Sequence, residues 1–337
     1  MTATRTTTYP GLAAVLVVSS IVGVLVGLAV TAADPVPGLP DPAVVVRVGL
    51  PLVRVLLDMA AVVTVGLCLL PLLIGFDRPK LAEPVLAGAR RIAMLSALVW
   101  AVAALVALVL QTAELRPGTN VSAAAVWDYV GTVGAGKALL FVAAFALLSF
   151  GLSLWSVRVG ESVPAELRAA VSLFALLPLP VTGHATNWRW HDLTMISMEL
   201  HVMSAAAWTG GLGAVAVLLA ANRTLLAHAL PRFSKLATIC LIVVTATGVF
   251  NGAVELVVNP NIPLLEALIS TRYGVLVLLK TACLIALAAF GAKIRWHLMP
   301  AIAAHRPTAL VTWAGLELAI MGLAFGFAVI LTRAPVS

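Results

Sequence analysis

Charge is scarce in this sequence. Asp, Glu, Lys and Arg make up 10% of the 337 residues, against 62% that are hydrophobic. Soluble domains usually carry about a quarter charged residues, and a chain this poor in them cannot cover its surface with groups that water solvates. That excludes the two or three soluble domains its length would otherwise suggest. Cysteine is rarer still. Cys68, Cys240 and Cys283 lie inside apolar runs with no CxxC or other paired spacing, so each reads as a small buried apolar residue. No Walker motif, nucleophile elbow or HExxH is present, which removes direct ATP drive and the common hydrolytic chemistries and leaves a non-enzyme. The net charge of +7 does not point to nucleic acid, because the basic residues sit in short loops between apolar runs, where charge encodes membrane orientation.

What the chain has is apolar length. Runs at about 12–33, 46–75, 92–113, 137–159, 167–186, 193–220, 237–258, 273–293 and 310–331 each reach or approach the ~20 residues that cross a hydrocarbon core. The reading is an all-α, polytopic transmembrane helical bundle of about nine helices. It divides into residues 1–165, with helices one to four, and 166–337, with helices five to nine. The first run follows Arg5 and is too long for a signal-peptide core, so it reads as an anchor. The 114–136 connection has room for a short interfacial helix around Trp127 and Tyr129.

Loop charge alternates. One set of loops holds Arg78, Lys80, Arg90, Arg91, Arg158, Arg168, Arg223, Arg232, Lys235, Lys293, Arg295 and Arg306; the other is acidic or nearly neutral. The positive-inside rule puts the first set, and with it the N-terminus, in the cytoplasm.

Chemistry is expected where the apolar rule is broken, because ionisable residues in a membrane helix face the bundle interior, a partner or a water path. Arg54 and Asp58 are four apart and share a helix face, so they pair, either as a packing lock or as part of a path. Glu199, Asn251, Glu255 and Lys280 fall in the outer half, and Lys280 calls for a carboxylate such as Glu255 or Glu199. Glu317 alone lies nearer the cytoplasm. His191, Met195 and Met198 follow an i, i+4, i+7 stripe with His201 one turn beyond, and His184 sits near the outer end of the preceding run. Imidazole and thioether together suit copper, since soft sulfur selects Cu(I) and imidazole takes either oxidation state. The alternative for each Met is plain packing. The small residues after Trp208, namely Gly210 and Gly211 with Gly213 extending the face, signal close helix approach.

Gly183-His184-Ala185, His201, Trp208-x-Gly210-Gly211, Arg232-Phe233-Ser234-x-x-Ala237, Thr247-Gly248 and Thr271-x-Tyr273-Gly274 followed by Lys280 occur in this order over about 170–295. In that series the chain resembles the CopD family of bacterial copper-resistance and copper-transport membrane proteins; the first half matches more loosely. It also resembles the N-terminal half of a fusion in which a CopD-like region precedes a CtaG-like cytochrome c oxidase assembly region. The resemblance implies a multi-pass protein of the bacterial cytoplasmic membrane that moves copper, inward from the periplasmic side, and serves copper homeostasis. It implies copper ions and membrane lipid as partners, with a periplasmic copper-binding donor and a CtaG-like region as further ones. Copper is then expected at His184, His191, Met195, Met198 and His201, with Arg54, Asp58, Glu199, Asn251, Glu255 and Lys280 along the path. Facilitated diffusion and proton coupling through the buried carboxylates both remain open. Two other readings stand beside it: a b-type haem protein using His184 and His201 as axial ligands, and a factor that holds copper for oxidase assembly without transporting it.

Overall fold

In hydrocarbon a backbone must satisfy its own N–H and C=O groups, so long apolar runs become helices. A computed structural model describes residues 8–31, 43–118, 120–183, 190–257, 262–298, 300 and 309–334 of the chain. Its α-helices are α1 (Gly11–Val30), α2 (Val44–Ile74), α3 (Pro79–Leu115), α4 (Ala123–Thr132), α5 (Gly134–Val159), α6 (Ala165–Phe174), α7 (His191–Leu219), α8 (Arg223–Leu256), α9 (Leu264–Ser270), α10 (Arg272–Lys293) and α11 (Leu310–Leu331). Among the described residues nine helical segments are long and apolar enough to cross a membrane. The all-α polytopic bundle expected from composition is the fold.

Two helices begin more than a dozen residues before their apolar runs. α3 starts at Pro79 rather than near 92, and α8 at Arg223 rather than near 237. At 37 residues, α3 is about 55 Å long, well beyond a ~30 Å core. The added turns lie on the basic side and carry polar residues that a hydropathy window discards. They are held by ion pairs: buried Arg90 binds Glu83 and Glu161, and buried Arg168 reaches the same Glu161 at 2.9 Å. This cluster ties α3 and α6 to the turn after α5.

The fifth span is broken where a continuous helix over 167–186 is expected. α6 ends at Phe174, and a 3-10 turn, Leu179–Thr182, carries the chain onward. Pro178 and Pro180 are the cause, because proline lacks the N–H and constrains the residue before it. The interfacial helix does form, as α4, with Trp127 exposed and the Tyr129 hydroxyl donating to Gln111 at 3.0 Å.

α2 and α7 are the most enclosed spans near the centre, whereas few residues of α8 and α10 are fully buried. α2 and α7 touch through glycine: a Cβ on Gly66 would lie 2.6 Å from the Gly210 Cα. Gly211 packs on Phe233 of α8, where a Cβ would come to 3.1 Å from the ring. Gly213 does not extend this close face, since its nearest neighbour is Leu318 at 4.0 Å.

Candidate functional site

The site begins with how α8 is fixed against α7. Arg232 donates to the Ile74 carbonyl at 2.6 Å and the Leu73 carbonyl at 3.4 Å, closing the end of α2. Phe233, next in sequence, fills the space left by Gly211. These two contacts set the register of the antiparallel pair α7–α8 on the basic side of the membrane.

Toward the outer ends, the register brings polar residues together in rungs. His201 Nδ1 lies 2.9 Å from Thr247 Oγ1. Thr247 gives its own proton to the Val243 carbonyl at 2.6 Å, which leaves its oxygen to accept from Nδ1–H, and the Val244 backbone also hydrogen-bonds the ring. Gly248 makes room for the ring; a Cβ there would sit 3.4 Å from Cε1. One turn outward, the Asn251 amide lies 4.0 Å from the Met198 sulfur. A further turn outward, helical spacing places Thr194 and Glu255 on the same faces.

These outer rungs are under-satisfied. Asn251 Oδ1, Glu255 Oε1, Thr194 Oγ1 and Ser197 Oγ are buried without a hydrogen-bond partner, and each such atom costs about 1–3 kcal/mol. Tyr273 of α10 lies within electrostatic reach of Glu255, and Lys280 within reach of His201 and Cys283. Acceptor oxygens, a thioether and an imidazole thus share one seam between α7, α8 and α10. That donor set suits a soft or borderline cation better than a hard one.

Not every expected residue joins the seam. Met198 and His201 do, with Asn251 and Glu255. His191 is the exposed first residue of α7, and Met195 and Glu199 are half-buried to one side of the Thr194–Met198–His201 face. His184 lies outside the described residues. Arg54 and Asp58 form the expected i, i+4 ion pair at 3.3 Å, and Arg54 also donates to Thr182 at 2.6 Å. That bond pins α2 to the broken span. Lys280 does not pair with Glu255 or Glu199, and among the described residues no ion pair reaches its ammonium group. Among the described residues no three His, Cys, Asp or Glu side chains gather as a metal cage, so the convergence rests on mixed donors around one imidazole. Thr194, Ser197 and the role of Thr247 escape a search for ionisable residues. The recurrence Thr247, Asn251, Glu255 at four-residue intervals on an apolar helix is the signal that finds them.

Two family models match the chain. Copper resistance protein D matches residues 227–331, which include Thr247, Asn251, Glu255, Lys280 and Glu317. The copper resistance protein D-like N-terminal domain matches residues 39–191, which include Arg54 and Asp58. Most of α7, with Met198 and His201, falls between the two matched stretches. No curated protein and no solved structure matches.

Proposed function

The chain belongs to the copper resistance protein D family, a family of copper-handling membrane proteins, and from that membership we propose that it carries copper across the bacterial cytoplasmic membrane, taking the ion at the outer rungs of α7 and α8. The observation that carries this reading is the His201–Thr247 bond, which holds the imidazole by Nδ1 one turn inward of the rung where Asn251 meets the Met198 thioether.

Each residue has a part. Glu255, the outermost charge of the seam, attracts the cation and offsets the cost of taking it out of water. Met198 and His201 supply the sulfur and nitrogen donors that Cu(I) prefers. Asn251, whose amide already faces the Met198 sulfur, orients the thioether. A protonated Lys280 works against a cation at His201 and keeps the site from holding it too tightly, as conduction requires. Loop charge supports an outer position for this end, which favours inward transport. His184, His191 and Met195 would act before the rungs, at capture.

The test is copper content of purified protein incubated with Cu(I) under reducing conditions. Wild type should retain copper, and Met198→Ala and His201→Ala should each lose most of it. Unchanged copper in both variants rules the rungs out. A Soret band in the purified protein would replace this account with the haem reading. Copper binding without vesicle uptake would favour the holding factor.

A further inference from the structure

Inward of the His201 rung the same seam widens into a chamber. The residues that enter it lie seven positions on from the rungs: Trp208 from His201, Leu241 back from Gly248, and Leu287 from Lys280, so all three helices keep the same face. α7, α8, α10 and α11, with the π-helical turn Ile294–Leu298 after α10, enclose about 240 Å³ lined almost entirely by apolar side chains. Glu317 enters from α11 and is 4% exposed. Opposite it stands Gly291, where a Cβ would lie 3.7 Å from Glu317 Oε1. Among the described residues no hydrogen bond or ion pair reaches the Glu317 carboxyl group.

An unpaired carboxylate at this depth is costly unless it takes up a cation or a proton. Among the described residues the chamber lining holds no Met, Cys or His, so these supply no donor that would keep copper there. Its charged neighbours are few. Arg295, at the exposed mouth, shares the lining but donates to Thr238 at 2.9 Å. Lys293 lies over the Trp313 ring at 4.6 Å, and Arg232 is turned to the end of α2. Cys68 of α2 faces Arg168 and Ser172 on α6, and Lys235 and His297 are exposed. Helix α1 and the inner half of α7 carry no ionisable residue.

We propose that Glu317 is a proton-binding site open to the basic side of the membrane, through which copper movement at the outer rungs is coupled to protons. The coupling, though not the proton site itself, rests on the transport reading above. The carboxylate takes one proton from water at the chamber mouth and becomes a neutral acid. It releases that proton to the same water as a copper ion passes, one positive charge replacing another, and takes a proton back once the ion has left, so each passage displaces one proton at the inner face and no net proton crosses the membrane.

The site and the coupling are tested separately. Infrared difference spectra of the purified full chain between acid and neutral pH should show a protonated-carboxyl C=O component that Glu317→Gln removes and Glu317→Asp shifts. A band unchanged in both variants overturns the site whatever copper does. In proteoliposomes carrying an internal pH dye, copper(I) addition to wild type should give a transient proton release, and Glu317→Gln should fall to the level of empty vesicles while its copper content stays that of wild type. Proton movement retained in Glu317→Gln overturns the coupling. Should Glu317→Gln fail to fold, Glu317→Ala in the same two assays carries the same expectations, and Glu317→Asp should keep proton movement. Absence of copper uptake in wild type counts against the transport reading and the coupling, and leaves the infrared result to decide the site.

Discussion

His201 Nδ1 stands 2.9 Å from Thr247 Oγ1 across the α7–α8 seam, and the threonine proton is already committed to the Val243 carbonyl. The ring is therefore held in one tautomer with Nε2 facing away from the bond. Outer groups that orient a metal-binding histidine are worth about 10–100-fold in affinity. Thr247→Val should weaken Cu(I) binding by that factor in a chelator competition, and Thr247→Ser should restore it. Equal affinities in all three proteins would show that the bond does not prepare the ring.

Lys280 gives a prediction of opposite sign. It is within electrostatic reach of His201 and has no carboxylate partner among the described residues. Removing its charge in Lys280→Met should tighten copper retention severalfold and slow release, read by chelator competition and by efflux from loaded vesicles. Weaker retention would mean that Lys280 supports the site rather than opposing it.

Arg54 and Asp58 are expected to act as a lock. Their side chains are 18% and 14% exposed, and an unpaired charge left at such a site costs about 3–5 kcal/mol. Asp58→Ala should lower the melting temperature in detergent more than the Arg54→Ala/Asp58→Ala double variant does. Both should bind copper normally once folded. Loss of copper from folded Asp58→Ala would instead put the pair on the ion's path.

Gly210 tests the frame. A Cβ there would meet the Val62 carbonyl, and would come to 2.8 Å from the Gly66 nitrogen. Gly210→Ala should force α2 and α7 apart at a cost of about 1–3 kcal/mol, whereas Gly213→Ala should be nearly silent. Thermal unfolding of the two variants in one detergent compares them.

Much of this architecture is legible in the sequence because the bilayer imposes it. Apolar length marks the nine spans, and four-residue spacing identifies the Arg54–Asp58 pair. The inner turns of α3 and α8 are invisible to a hydropathy window because Arg90 and Arg232 find partners that a window cannot see. The break after Phe174 was readable in Pro178 and Pro180. The site is harder. His191, Met195 and Met198 form a stripe by spacing, yet the face that meets α8 runs through Thr194, Met198 and His201. Helix rotation about its axis is set by packing, here by Gly210 and Gly211, and spacing alone does not fix it. Thr247 escapes notice because a helical threonine usually bonds only its own backbone; here it does that and also holds a histidine.

The central claim is that copper crosses through the α7–α8 rungs, and initial Cu(I) uptake into proteoliposomes of matched protein content tests it most directly. The account predicts uptake by wild type that falls at least about tenfold in the Met198→Ala/His201→Ala double variant, no less than the loss of groups that only orient a metal's ligands. Uptake by that double variant at the wild-type rate would contradict it.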